Sequence, residues 1–195
     1  MAATGSTSRK PSARERMIAG AIESLRVHGA SATSVDRVLA ETGAPRGSVY
    51  HHFPGGRTQL ITDAITTAGE VMSAYIEDIT REGEPFDALD RFANMWRKTL
   101  RDSDFRAGCP IFAVAVETND DAPQFAAVAA EVFARWQAAL AEGFSRYGMP
   151  ADRARRLATL TVTAMEGAIA LCRAQHSLTP LDDIVDELKA LYTAR

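Results

Sequence analysis

An all-α fold is predicted for this chain of 195 residues. Alanine is abundant, and apolar residues recur at intervals of three and four. No run of β-branched residues alternates in the manner of a strand. About nine helices are expected: an N-terminal group of three forming a helix-turn-helix unit, and a larger helical body behind it.

Composition narrows the class further. An apolar fraction of 46% and a charged fraction of 24% are ordinary for a soluble globular protein. The length suffices for one or two domains with a buried core. No segment approaches the ~18 uninterrupted apolar residues of a membrane span. The N-terminal residues carry no apolar run behind their basic residues, so no secretory signal is predicted. Cys109 and Cys172 are too few for a disulfide scaffold and too far apart for a zinc-type pair. A reduced, cytoplasmic setting is the expectation.

The net charge of -3 divides unevenly. Residues 1–57 hold eight Lys/Arg against four Asp/Glu, a net of +4, which leaves -7 for the remainder. A basic head on an acidic body concentrates attraction for phosphate at one end.

Residues 1–11 read as a small, polar, basic arm. The first helix starts near Ser12, carries Ile18, Ala21, Ile22 and Leu25 on one face, and stops at Gly29. The second opens on Ser34 as N-cap, turns Val35, Val38 and Leu39 inward, and ends at Gly43. Pro45 suits a first helical turn, so a third helix follows through Arg46 to about Phe53. Pro54-Gly55-Gly56 breaks the chain. A long fourth helix, Thr58 to Thr80, offers Leu60, Ile61, Ile65, Val71, Met72 and Ile76 as apolar contacts. Further helices are expected at Phe86–Arg101, Pro110–Glu117, Pro123–Tyr147 (capped by Asn119-Asp120-Asp121), Ala151–His176 and Leu181–Tyr192. The domain reading is 1–11, 12–57 and 58–195.

The informative stretch is Thr33 to Phe53, T-S-V-D-R-V-L-A-E-T-G-A-P-R-G-S-V-Y-H-H-F. Two short helices about a glycine turn have helix-turn-helix spacing, which presents the front of the second helix to a major groove. Arg46 is suited to pair two-pronged with guanine. Gly47 permits close backbone approach, and Ser48 reaches phosphate or a base. Val49 and Phe53 face back into the domain. Tyr50 and His51 face outward toward phosphate, as do Ser34 and Arg37 at the start of the second helix and Arg57 before the fourth. Arg9 and Lys10 are placed to enter an adjacent minor groove. Any one of these residues alone is more commonly a solvated side chain; the spaced set carries the reading.

This segment resembles the N-terminal domain of the TetR family of repressors at Thr33, Ser34, Val35, Gly43, Gly47, Ser48, Tyr50, His52 and Phe53, with Val38 and Val49 as near matches. The run Y-H-H-F-P-G-G-R-T-Q-L and the later A-G-C-P-I-F-A-V-A-V-E are similar to the LmrA/YxaF-like branch. Two departures stand out. Pro45 replaces a small polar residue, removing one phosphate contact, and Leu39-Ala40 displaces the usual Ile-Ala pair by one position. The resemblance implies an all-α homodimeric repressor on a palindromic operator, whose C-terminal domain binds a small molecule and releases the DNA.

The body supplies its own indications. Leu181, Ile184, Val185 and Leu188 form an apolar stripe on the last helix. Leu160, Ala164, Gly167, Ala168 and Leu171 give the preceding helix a small-residue face. A four-helix interface with a second copy is expected from the pair; the alternative is that the stripe docks on its own domain. Phe92, Met95, Trp96, Phe112, Phe133, Trp136 and Met165 suggest a cavity for a small apolar or aromatic effector, although each alone is more commonly core. No metal, cofactor or membrane partner is expected: adjacent His51 and His52 diverge by ~100° on a helix and lack a completing ligand. The two thiols read as inert small hydrophobes rather than a redox pair. No catalytic set is found. The competing readings are a helical dimeric adaptor or a small enzyme using the aromatic interior.

Overall fold

The computed structural model describes residues 11–81, 83–117 and 122–193, and among these the only regular elements are nine helices. The expected arm contacts of Arg9 and Lys10, and the Asn119–Asp121 cap, lie outside the described residues.

The first two helices are closely capped. Helix α1 (Ala13–His28) starts at a capping box. The Ser12 hydroxyl accepts from the Glu15 N–H at 3.2 Å, and the Ser12 N–H donates to the Glu15 carboxylate at 2.6 Å. Met17, Ile18, Ala21 and Leu25 form its buried face. Helix α2 (Val35–Thr42) is capped by Ser34, whose hydroxyl accepts from the Arg37 N–H. Gly43 then takes φ +65°, a left-handed conformation that glycine adopts without steric cost. Helix α3 (Arg46–His52) follows, with Pro45 one position earlier than expected, as the flanking residue rather than in the first turn.

Helix α4 (Gly56–Arg81) is 26 residues long, about 39 Å at 1.5 Å per residue, and runs from the three-helix unit into the body. It starts two residues before the expected Thr58, so the anticipated junction at 57/58 falls within its first turn. Leu60, Ile61, Ile65 and Ile76 are buried, and Met72 is half-buried. Val71 is exposed instead of packed, because it lies on the side of α4 turned away from α7.

The body comprises α5 (Pro85–Asp102), α6 (Pro110–Val116), α7 (Gln124–Arg146), α8 (Ala151–Gln175) and α9 (Thr179–Thr193). Helix α7 packs between α4 and α8, and α9 folds back over α5 and α8. The Trp136 indole N–H donates to the Ser73 hydroxyl at 3.1 Å, tying α7 to α4. Arg97–Asp182 and Lys189–Asp90 ion pairs tie α5 to α9.

That return of α9 corrects the expected stripe. Leu181, Val185 and Leu188 are buried in their own chain, as is Ala168 of α8, so none is presented to a second copy. The Tyr192 hydroxyl shares a 2.7 Å hydrogen bond with Thr161 that closes α9 onto α8. Ile184 is half-buried. On α8, Leu160 (43%) and Leu171 (51%) remain exposed, with half-buried Ala164 and Gly167 between them. Among the described residues α8 is the one helix long and apolar enough to cross a membrane, and its buried residues pack against α7 and α9.

Candidate nucleic-acid interface and effector cavity

Helix α3 is held by one apolar side. Val49 and Phe53 are almost wholly buried, and the Phe53 N–H returns to the Val49 carbonyl at 2.6 Å. The Arg14 guanidinium lies 5.3 Å from the centre of the Phe53 ring and is paired with Asp63 of α4. The opposite side of α3 is clear. The Arg46 side chain is 81% exposed and Tyr50 is 70% exposed. Nothing lies within 4 Å of where a Gly47 side chain would begin. His51 is exposed and His52 half-buried, their rings edge-on at 5.1 Å.

The remaining sequence-predicted residues fall into different roles. Arg46 pairs with Asp36 of α2 at 3.0 Å; an exposed pair of this kind is worth at most about 1 kcal/mol and exchanges readily. The Ser48 hydroxyl is half-buried and donates to the Pro45 carbonyl at 2.6 Å, which occupies its proton. Arg37 donates to the Ala32 carbonyl at 3.2 Å and remains partly exposed beside Glu41. Ser34 is exposed and occupied as a cap.

Arg57 departs most from expectation. Its guanidinium donates to the carbonyls of Thr33 at 2.8 Å and Ala30 at 2.5 Å. These bonds fasten the start of α4 to the turn between α1 and α2 and point Arg57 inward rather than toward a phosphate. The sequence could not reveal this, because a free carbonyl carries no residue-type signal.

A second fastening joins the same turn to the body. Glu117, just past α6, accepts from the N–H of Ala30 and of Ser31, both at 2.7 Å, and from the Ser31 hydroxyl at 2.5 Å. Gly29 at φ +81° admits the carboxylate; a Cβ there would stand 2.2 Å from it. The Gly108 N–H donates to the Arg26 carbonyl at 2.9 Å. Both ends of α6 therefore touch the end of α1.

Behind these helices, between α4, α5, α7, α8 and α9, lies an apolar cavity with an open mouth. Of the aromatic and methionine residues expected to line it, Phe92, Trp136 and Met165 do so. Trp96 is buried in the core, and Met95 and Phe133 are half-buried against it. Phe112 borders a separate cleft between α1, α6 and α8. Residues the sequence did not single out complete the lining, among them Ile76, Leu89, Phe144 and Tyr192. Glu166, buried on α8, borders both the cavity and the cleft. Burial and the neighbouring Glu166 charge push the Cys109 thiol well up, away from the reactive thiolate. Cys172 is also buried, and neither cysteine is in a disulfide.

A small helix pair with an outward-facing second helix, set on an all-α body, defines a helix-turn-helix transcriptional regulator. Residues 17–64 match the model of the bacterial regulatory proteins of the tetR family. Residues 85–187, over half the chain, match that of the transcriptional regulator LmrA/YxaF-like C-terminal domain. An uncharacterized HTH-type transcriptional regulator of Mycobacterium tuberculosis is 46% identical over 187 residues, covering 93% of this chain and 94% of that protein. The chain belongs to the TetR family of transcriptional regulators. Its fold is shared by a TetR regulator from Legionella pneumophila, with a TM-score of 0.85 at 17% identity over 93% of this chain and 97% of that one. It is shared too by CifR, a TetR-family regulator solved as a cysteine mutant complexed with 26bp double-strand operator DNA; the TM-score is 0.73 at 17% identity, covering 92% and 97%.

Proposed function

We propose that this protein is a homodimeric repressor that binds a palindromic operator through α3 and is released by a small molecule held in the body. The observation that carries the reading is the outward side of α3. Arg46, Gly47 and Tyr50 project from a short helix whose other side is anchored by Val49 and Phe53. Arg46 trades Asp36 for a guanine edge, and Tyr50 and His51 donate to phosphates. Ser34 and Arg37 supply phosphate contacts at the start of α2. Residues 12–57 act as the DNA-binding unit and 58–195 as the effector and dimer unit. CifR, which shares this fold, is itself solved with operator DNA.

A dimer supplies two α3 helices, which two half-sites ~34 Å apart require. The exposed stripe Leu160, Ala164, Gly167 and Leu171, with Ile184 beside it, is the candidate surface for the second copy. Small residues there allow two α8 helices to approach closely. The apolar cavity supports an apolar or aromatic effector, which shifts the protein toward a state that does not fit DNA only by binding that state more tightly.

An electrophoretic shift with DNA from upstream of the protein's own gene, at two salt concentrations, tests this reading. Saturable binding that weakens steeply with salt is expected. Binding that is indifferent to sequence, or none at low salt, sinks it.

A further inference from the structure

Glu166 is the sole charged residue between Arg156 and Arg173. It is 7% exposed, and its Oε2 atom is buried without a hydrogen-bond partner. A carboxyl stripped of water with one oxygen left unpaired is costly to bury, so a residue of this kind is a poor choice for simple core filling. Burial pushes its carboxyl up to about 7, with the Cys109 thiol pulling the other way as a donor. Arg173, two turns along α8, does not neutralise it: that guanidinium lies against Gly108 and reaches the Val27 carbonyl.

The cavity around Glu166 has a consistent chemistry. Its walls include two acids, Glu84 and Glu166, and no Lys, Arg or His. Phe92, Trp136, Phe144 and Tyr192 contribute aromatic rings. Such rings attract a cation over their faces, and a desolvated carboxylate forms a strong charge-assisted bond with one. An anionic ligand finds no Lys, Arg or His counter-charge here, and a neutral ligand with a hydrogen-bond donor satisfies Oε2 more weakly than a cation does.

We propose that the cavity binds a lipophilic cation, an apolar or aromatic body bearing one protonated amine, with Glu166 as its counter-ion. The assignment rests on the reading that the body holds an effector, and it names that effector's chemical class. The aromatic walls take the apolar body, and the ammonium takes the orphaned oxygen.

Calorimetric titration of the full chain with 2-naphthylmethylamine and with neutral 2-naphthylmethanol tests the assignment, since the two differ mainly in charge. The amine is expected to bind at least about tenfold more tightly than the alcohol. In Glu166→Gln, which keeps shape and removes charge, that preference should vanish while alcohol binding stays within about twofold. Equal binding of the two probes by the natural chain, or by neither, overturns the proposal without recourse to any variant. So does an amine preference that survives in a Glu166→Gln protein whose circular dichroism is unchanged. Operator binding measured without either probe is a separate arm: its loss defeats the regulator reading while leaving the charge preference of the cavity standing.

Discussion

Arg46 and Tyr50 sit four positions apart on α3 and both are exposed; the proposed function gives them different roles. Arg46→Ala should cost about 1–3 kcal/mol on the cognate sequence and relax preference at one base pair. Tyr50→Phe should weaken binding evenly across sequences, since a phosphate contact carries no base information. Competition titrations with single-base operator variants separate the two; equal loss of preference in both contradicts the role assignment. Glu166 yields a prediction of another kind. Its carboxyl stands at about 7, above the ordinary 4.5, because burial favours the neutral form. Its contribution to stability is therefore complete below about pH 4.5 and is lost as pH rises through 7. The Cys109 thiol at the start of α6 is its hydrogen-bond donor; Glu84 and Tyr192 line the cavity it borders, and Arg173, His28 and Glu117 the cleft on its other side. Glu166→Gln should gain stability over the natural chain at about pH 8, by at most on the order of 3 kcal/mol, with the gain fading toward pH 4.5. Urea melts at several pH values read this directly.

The helices themselves are largely legible in the sequence, because their ends are local events. Ser12 and Ser34 are cap residues, Gly29 and Gly43 take positive φ, and Pro45, Pro85 and Pro110 stand at helix starts. What stays hidden is pairing across long separations. The Glu117 grip on Ala30 and Ser31 spans 86 or more residues, and Arg57 reaches two carbonyls that any residue could supply. The apolar stripe of α9 is visible as a stripe, but periodicity does not say what it faces; α5 and α8 of the same chain cover it. Helix α6, seven residues or about 10 Å long, has Glu117 holding the DNA-binding unit at one end and Cys109 beside Glu166 at the other. A shift of α8 on effector binding would thus be transmitted to the turn between α1 and α2, in parallel with α4. Glu117→Ala should lower stability by about 1–3 kcal/mol through its lost charge-assisted bonds. It should also shrink the effect of the amine on operator affinity. Unchanged stability together with unchanged release rules out α6 as a link.

Across the molecule, the proposed function requires two copies, two half-sites and one equilibrium that both ligands bias. The surviving apolar stripe on α8 predicts that Leu160→Asp with Leu171→Asp gives a folded monomer with sharply weaker operator binding, read by light scattering and by the shift assay. A dimer that persists would move the interface elsewhere. Linkage requires that operator lower effector affinity by the same factor by which effector lowers operator affinity. The central claim, however, is that the exposed side of α3 reads DNA sequence. Fluorescence anisotropy of the natural chain and Arg46→Ala, each on operator and on scrambled DNA of equal length, measures it at a single salt concentration. The natural chain should prefer operator by at least about a thousandfold, and Arg46→Ala should lose most of that preference while retaining its affinity for scrambled DNA to within severalfold. An operator preference that is undiminished in Arg46→Ala contradicts the assignment of α3 as the reading helix.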